Sequence, residues 1–315
     1  MREFIMNALP SKQAIEDVAA ELEIAPAFVE KDWFVTQVIK LIAEFSHEDF
    51  VMVFSGGTSL SKAHHILKRF SEDIDFRVIC PSLEGLSQSK KRARLSALKK
   101  AMFSHLKEAF PELEDKELIA RNGNQFFAIN LNYPTLFDRD QALRPHVLVE
   151  FTIATLMLSG ITLSVSSFLA QSAGAPPEVK SIPCIDPVEN ASDKASAFVW
   201  RTVERERGAE GDDPSIVRHL HDLSLLSPIG IAHPKFKEMV LMTLQQDDSR
   251  SKKLVGLTPK EKFSRAITTI KEDPEYEKEY IRFVEGMSYA KTSDMPPFHL
   301  AITNLEALIK HVLDT

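Results

Sequence analysis

The chain has only two cysteines in 315 residues, Cys80 and Cys184, with no spacing that suggests a disulfide framework or a thiolate metal site. They read as reduced thiols, which points to a cytoplasmic protein. No apolar run approaches the length of a membrane span, and Met1-Arg2-Glu3-Phe4 lacks a signal-peptide pattern, so no membrane partner is expected. A surplus of positive charge is missing too. The net charge of −7 excludes a surface coated in basic residues for nucleic acid and leaves room only for a local patch. Internal repeats and low-complexity tracts are absent. What remains is a globular composition, 44% hydrophobic, long enough for a nucleotide-binding domain and a second helical unit.

Within that ordinary background one region is dense in chemistry. The apolar run Phe50-Val51-Met52-Val53-Phe54 leads into Gly56-Gly57-Thr58-Ser59-Leu60-Ser61-Lys62. A helical pattern follows, then Ser71-Glu72-Asp73-Ile74-Asp75-Phe76. This order predicts a strand, a phosphate-cradling turn, a helix and a metal-binding strand. On a strand, Ser71, Asp73 and Asp75 share one face while Ile74, Phe76 and Val78 face a core. Mg²⁺ keeps several waters and takes one or two protein carboxylates plus phosphate oxygens, which suits an aspartate pair. Glycines at 56 and 57 let backbone approach a ligand and adopt positive φ, and Thr58 or Ser59 is placed to cap the helix behind them. Leu60, Ala63, Leu67 and Phe70 recur at helical spacing, with Ser59, Lys62 and Arg69 on another stripe. Singly, a Gly-Gly pair is a turn and Asp-x-Asp a solvated strand end. Their order and spacing together favour a nucleotide site.

Downstream, His146-Val147-Leu148-Val149-Glu150-Phe151-Thr152-Ile153 alternates as a strand with an acid at its centre. A buried carboxylate among apolar residues calls for a metal, a cation or a proton, so Glu150 is either a site residue or a surface glutamate on an edge strand. Phe127, Ile129, Leu131 and Tyr133 form a strand after the turn Arg121-Asn122-Gly123-Asn124, and Phe137-Asp138-Arg139-Asp140 starts the connection onward. Further strands are expected around 161–166 and 179–185. Residues 11–45 read as two helices with Ile15, Val18, Leu22, Val29, Trp33 and Ile39 as core positions. From Pro187 the pattern is helical to the C-terminus.

These residues carry a resemblance. Gly56-Gly57-Thr58-Ser59-Leu60-x-Lys62 with Arg69-x-Ser71-x-Asp73-x-Asp75-Phe76 resembles the nucleotidyltransferase toxins of the AbiEii/AbiGii type, a branch of the DNA polymerase β-like nucleotidyltransferase superfamily. Val29-Glu30-Lys31-Asp32-Trp33-Phe34-Val35 resembles a stretch that precedes the catalytic strand in one subgroup. Asp193-Lys194 with Ala197 and Arg201 resembles the third family motif, and Arg218-His219-Leu220-His221-Asp222-Leu223 the fourth. His219 stands where that fourth motif commonly has its first acid, leaving Asp222 as its only one.

The resemblance implies an α+β fold: a mixed sheet flanked by helices over residues 1–186, with a helical C-terminal domain over 187–315. It implies a metal-dependent transfer of a nucleoside monophosphate from an NTP to an acceptor hydroxyl, with in-line attack at the α-phosphorus and release of pyrophosphate. Asp73, Asp75 and Glu150 would hold Mg²⁺ or Mn²⁺. Gly56, Gly57, Thr58, Ser59, Lys62, Arg69 and Ser71 would bind the nucleotide. Lys194 would contact its phosphates, with Asp222 orienting the lysine. The implied acceptor is an RNA or tRNA end, and the implied setting is a toxin opposed by a separate antitoxin, often in phage defence. The basic stretch Ser89-Lys90-Lys91-Arg92-Ala93-Arg94 at a helix start is the local patch open to RNA backbone, or simply a solvated face. Two other readings stand beside this one: the same chemistry on protein or small-molecule hydroxyls, and a non-catalytic nucleotide-binding module. A Walker-type loop is excluded, because Gly56-Gly57 is not followed by Gly-Lys-Ser/Thr. The paired histidines at 64 and 65, and those at 219 and 221, lack a third zinc ligand and read as surface or hydrogen-bonding residues.

Overall fold

Ser11 accepts a hydrogen bond from the Ala14 amide, and behind that cap Lys12–Leu22 forms α1, with Ile15, Val18 and Ala19 buried. Pro26 opens α2 (Pro26–Glu44), where its missing N–H is no loss. In the computed structural model, which describes residues 9–71, 73–138, 143–290 and 294–314, every residue of α2 from Ala27 to Ile39 is buried, the charged Glu30, Lys31 and Asp32 included. Met1-Arg2-Glu3-Phe4, Glu72 and Arg139-Asp140 lie outside the described residues.

The chain divides into two compact units, one of residues up to 65 together with 70–185, the other of residues 66–69 and 186 onward. The first unit continues with β1 (Val51–Ser55), α3 (Gly56–Lys62), β2 (Asp73–Ile79) and α4 (Gln88–Ala109). After these come β3 (Leu118–Arg121), β4 (Phe126–Asn132), β5 (His146–Ile153), β6 (Ile161–Val165), α5 (Phe168–Ser172) and β7 (Val179–Cys184). The strands form one mixed sheet in the order β3-β4-β5-β2-β1-β7-β6. β3 escapes the sequence pattern because only Leu118 of its four residues is even half-buried.

Register is locked by aromatic rings. Phe54, Phe76, Phe151 and Phe127 sit on successive strands β1, β2, β5 and β4, with ring centroids 5.5, 5.7 and 4.5 Å apart along the row. All four are buried on the face covered by α2 and α4, through residues such as Trp33, Val38, Leu98, Met102 and Leu106. A slip of one residue on any strand would turn a phenylalanine out of this core, so the ladder also determines what stands on the opposite face.

The helical run expected from Leu60 through Phe70 is shorter than its pattern. α3 ends at Lys62 and His65 takes a left-handed φ of 54°, so Leu67 and Phe70 are buried from extended chain rather than from a helix. Leu22, expected in the core, is only half-buried.

The second unit is built of helices. Asp186 accepts from the Val188 amide to start α6 (Pro187–Glu204), followed by α7 (Val217–Ala232) and α8 (Phe236–Gln246). Thr258 and Glu261 close a reciprocal capping box on α9 (Pro259–Glu272), and α10 (Glu275–Met287) and α11 (Phe298–Leu313) complete the set. The short segment Ile66–Arg69 belongs here, tied by the Tyr289 amide donating to the Lys68 carbonyl at 3.1 Å. The described elements make the chain α+β, a mixed seven-stranded sheet with many helices.

Candidate active site

The phenylalanine ladder places a second row behind it. Ser55 pairs with Asp75, Asp75 with Glu150, and Glu150 with Ala128, each adjacent in sequence to a ring of the ladder and therefore on the opposite face. Asp73 is two residues before Asp75 on that same face. β5 runs between β4 and β2, so Glu150 stands on an interior strand, half-exposed and level with Asp75.

Gly56 is held against this row. Its φ is +74°, and a Cβ added there would fall 1.9 Å from Asp75 Oδ2, so only glycine fits beside the carboxylate. The turn is fastened to the acid strand from inside. Thr58, fully buried, donates its hydroxyl to the Asp73 carbonyl and lies 3.3 Å from that of Ser71. Ser59 donates back to the Gly56 carbonyl at 3.2 Å. Gly57 is half-exposed at the mouth of the turn.

Three residues read as phosphate contacts direct polar groups into the protein. Lys62 is buried and ion-paired with Asp32, which also accepts from the Phe168 amide at 2.8 Å. The Lys62 amine lies 5.3 Å from the centroid of the Phe168 ring. Thr58 is the inward fastener just described. Arg69 belongs to the second unit, where its Nε and Nη2 each stand 2.7 Å from one oxygen of Asp222. The motif order in the sequence is the same whether a lysine reaches a ligand or a buried aspartate, so only the fold separates the two.

In the second unit Asp222 is fully buried, and Lys194 Nζ is 2.7 Å from its Oδ2. His221 Nδ1 stands 3.2 Å from Oδ1. Burial by itself would raise the Asp222 carboxyl, but Arg69 and Lys194 outweigh it and hold the group well below the usual carboxylate range. His219, one turn of chain earlier on α7, is buried with neither ring nitrogen hydrogen-bonded. Burial, with Arg218, Lys194 and Arg201 nearby, pushes it well below the ordinary histidine value and keeps it neutral. It is thus neither a surface residue nor a hydrogen-bonding one, contrary to the sequence reading.

Arg144 carries no motif in the sequence. Its Nη1 is 2.7 Å from Asp73 Oδ1, an ion pair open to solvent. Its carbonyl accepts from the buried Lys31 at 2.9 Å. The one signal in the sequence is the charged triplet Glu30-Lys31-Asp32 flanked by apolar residues on α2.

Among the described residues, no group of three or more His, Cys, Asp or Glu is arranged to hold a metal ion by itself. Asp73 and Asp75 share a face, and the Asp75 carboxylate lies where a Cβ at position 56 would stand. Such a pair suits a hard divalent ion whose remaining ligands are phosphate oxygens and water, not one caged by protein. Among the described residues, no helix is long and apolar enough to cross a membrane.

Residues 40–304 match the protein family described as "Nucleotidyl transferase AbiEii toxin, Type IV TA system". Among solved structures, MenT4, a nucleotidyltransferase toxin from Mycobacterium tuberculosis H37Rv, superposes with a TM-score of 0.58 at 15% identity, covering 96% of this chain and 90% of that one. At that identity the likeness is one of fold. A search of curated proteins found no match.

Proposed function

The chain belongs to the AbiEii family of nucleotidyl transferase toxins of type IV toxin–antitoxin systems, and within that family we propose that it transfers a nucleoside monophosphate from an NTP to the terminal hydroxyl of an RNA, a tRNA end being the preferred acceptor. The reading is carried by one observation: Gly56 pressed against Asp75, in a row that continues to Glu150. Positive φ and the missing Cβ let the Asp75 carboxylate lie directly against the glycine turn, which sets a proposed metal ligand beside the backbone proposed to cradle phosphate.

The acceptor oxygen attacks the α-phosphorus in line, a new P–O bond forms, the α–β bridging bond breaks and pyrophosphate leaves. The residues proposed to hold Mg²⁺ or Mn²⁺ are Asp73 and Asp75, with Glu150 as the third acid, and the bound ion supplies positive charge to the phosphates and acidity to the acceptor hydroxyl. Glu150 is the group proposed to receive that hydroxyl's proton. Gly56, Gly57 and Ser71 line the triphosphate cradle. Thr58, Ser59 and Lys62 support the cradle from within. Lys194 is proposed as the phosphate-contacting lysine, oriented by Asp222, with Arg69 fixing Asp222 from its other side.

RNA is favoured as acceptor by the first turns of α4, where Lys90, Arg92 and Arg94 are exposed. Cations there oppose the helix dipole, which is reasonable where a polyanion docks. A separate antitoxin and a cytoplasmic setting, including phage defence, go with the toxin reading.

The test is direct. Protein incubated with each α-labelled NTP, Mg²⁺ or Mn²⁺, and total RNA, total protein or small hydroxyl acceptors should label RNA, and Asp75→Asn should abolish the label while circular dichroism stays unchanged. Label appearing on protein or a small molecule instead would replace the acceptor. Label surviving Asp75→Asn would remove the site.

A further inference from the structure

The chain is acidic overall, with a net charge of −7, yet from Gln88 to Lys107 the helix α4 carries seven lysines and arginines and no acid. Its first acid is Glu108. Leu95, Leu98, Met102 and Leu106 turn to the phenylalanine ladder, while Lys90, Lys100 and Lys107 are exposed on the outer face with Ala93, Ala97 and Ser104 between them. Among the described residues Lys90, Arg92 and Lys100 have no ion-pair partner. Like charges four residues apart, such as Lys90 and Arg94, repel, so the stability of the helix itself does not account for the pattern.

The placement of α4 decides what these cations can reach. The helix covers the ladder face, and Asp73, Asp75 and Glu150 stand on the other, so the sheet separates the cations from the reacting groups. The two faces meet at the β3 edge. There Lys99 Nζ donates to Asn124 Oδ1 at 3.0 Å, holding the turn between β3 and β4 against the flank of α4. Arg121, the last residue of β3, pairs with Phe126, the neighbour of the ladder's Phe127, and therefore lies on the acid face. It is exposed, with its guanidinium 6.0 Å from the Phe126 ring centroid. Two strand spacings, about 10 Å, separate β3 from Glu150 on β5, and Lys90 to Lys107 extends about 25 Å along the helix axis. Positive charge thus runs along α4, past the turn and onto the acid side.

We infer, on the reading of the acceptor as RNA, that α4 and the β3–β4 turn form a backbone-binding surface separate from the reacting groups: it holds the body of a folded RNA behind the sheet while the terminal hydroxyl crosses the β3 edge to the acids. Charge complementarity selects a polyanion. A membrane surface fits poorly, because no large apolar side chain of α4 is exposed and its outer face presents only small and polar residues. An acceptor of three nucleotides is too short to touch both the acids and α4, whereas an RNA of tRNA size spans them. The surface therefore contributes to acceptor binding and not to the chemical step.

The experiment uses the full chain, total tRNA, a trinucleotide acceptor and two double variants, Lys90→Gln with Arg92→Gln and Lys100→Gln with Lys107→Gln. Each double should bind tRNA about tenfold more weakly at about 0.1 M salt, by fluorescence anisotropy, and lower the slope of log affinity against log salt by about two. In labelling assays Lys100→Gln with Lys107→Gln should raise KM for tRNA about tenfold and leave kcat, and transfer to the trinucleotide, within about twofold. Unchanged tRNA affinity and slope in that double overturn the surface. An equal loss of transfer to the trinucleotide does so too, as does lost binding to phosphatidylserine vesicles with tRNA binding kept. Asp75→Asn should bind tRNA normally while transferring nothing. If the unaltered protein labels protein or small hydroxyls and no RNA, the acceptor reading fails and this surface with it. If it labels RNA and both doubles behave like the unaltered protein, only the surface fails.

Discussion

Arg69 grips Asp222 with two parallel hydrogen bonds, Nε to Oδ1 and Nη2 to Oδ2, both 2.7 Å long. Arg69 lies just after the glycine helix in sequence and Asp222 in the last of the family motifs, yet both are buried in the second unit, with Lys194 on the same carboxylate. Arg69, Lys194 and Asp222 are therefore joined in one ionic knot.

Removing the anion from that knot leaves two buried cations unbalanced. Asp222→Asn should lower unfolding free energy by about 3–5 kcal/mol, measured by urea denaturation at pH 7. Because the Asp222 carboxyl is held below its ordinary value of 3.8, its contribution is fully present above that pH and disappears only as pH falls through the depressed value. A loss below about 1 kcal/mol at pH 7 would mean the knot is not formed in solution.

The neutral His219 has a pH signature of the same sign in a higher pH range. Its folded value lies well below the ordinary 6.5, so as pH falls through 6.5 the unfolded chain takes up a proton that the folded chain refuses. Stability should then drop with acidification, by at most about 1.4 kcal/mol per pH unit from this group. His219→Gln should remove that part of the slope between pH 7 and pH 5. Parallel stability curves for the two proteins would show that His219 takes up its proton as readily in the folded chain as in the unfolded one.

At Gly56 a Cβ collides with one of the carboxylates proposed to hold metal. Gly56→Ala forces a Cβ into Asp75 and an alanine into φ +74°, and should cost about 1–3 kcal/mol while abolishing nucleotide transfer. Gly123→Ala is the control: φ is +64° but a Cβ there meets nothing within 4 Å, so it should cost about 1 kcal/mol and leave transfer intact. Equal activity in both variants would show that the fit of Asp75 against position 56 plays no part in transfer.

Lys62 and Asp32 form a buried pair, and their substitutions should couple. Lys62→Met or Asp32→Asn alone should each cost about 3–5 kcal/mol, and the double variant less than the sum of the two. Strictly additive losses in thermal or urea unfolding would place Lys62 elsewhere in solution.

Part of the molecule is legible in the sequence because its causes are local. The two N-terminal helices follow from helical spacing and from a Ser11 cap and a Pro26 start. The alternation in β2, β4 and β5 states which residues share a face, because side chains on a strand repeat with a period of two wherever the strand is placed. The helix after the glycines is misread for a related reason. Apolar residues at helical spacing show only that they are buried, and Leu67 and Phe70 are buried without a helix. β3 is silent because an exposed edge strand carries no apolar signal.

The sequence by itself determined the family, the α+β class and the faces on which Asp73, Asp75 and Glu150 stand. Only the tertiary structure decided that Asp75 is level with Glu150, that Lys62 belongs to Asp32, and that Arg144 reaches Asp73. The partners in those three pairs are separated by about 30 to 75 residues, and nothing periodic connects them. A buried charge must find its counterpart somewhere, but which counterpart it finds is set by the sheet's register and by the helix laid across it.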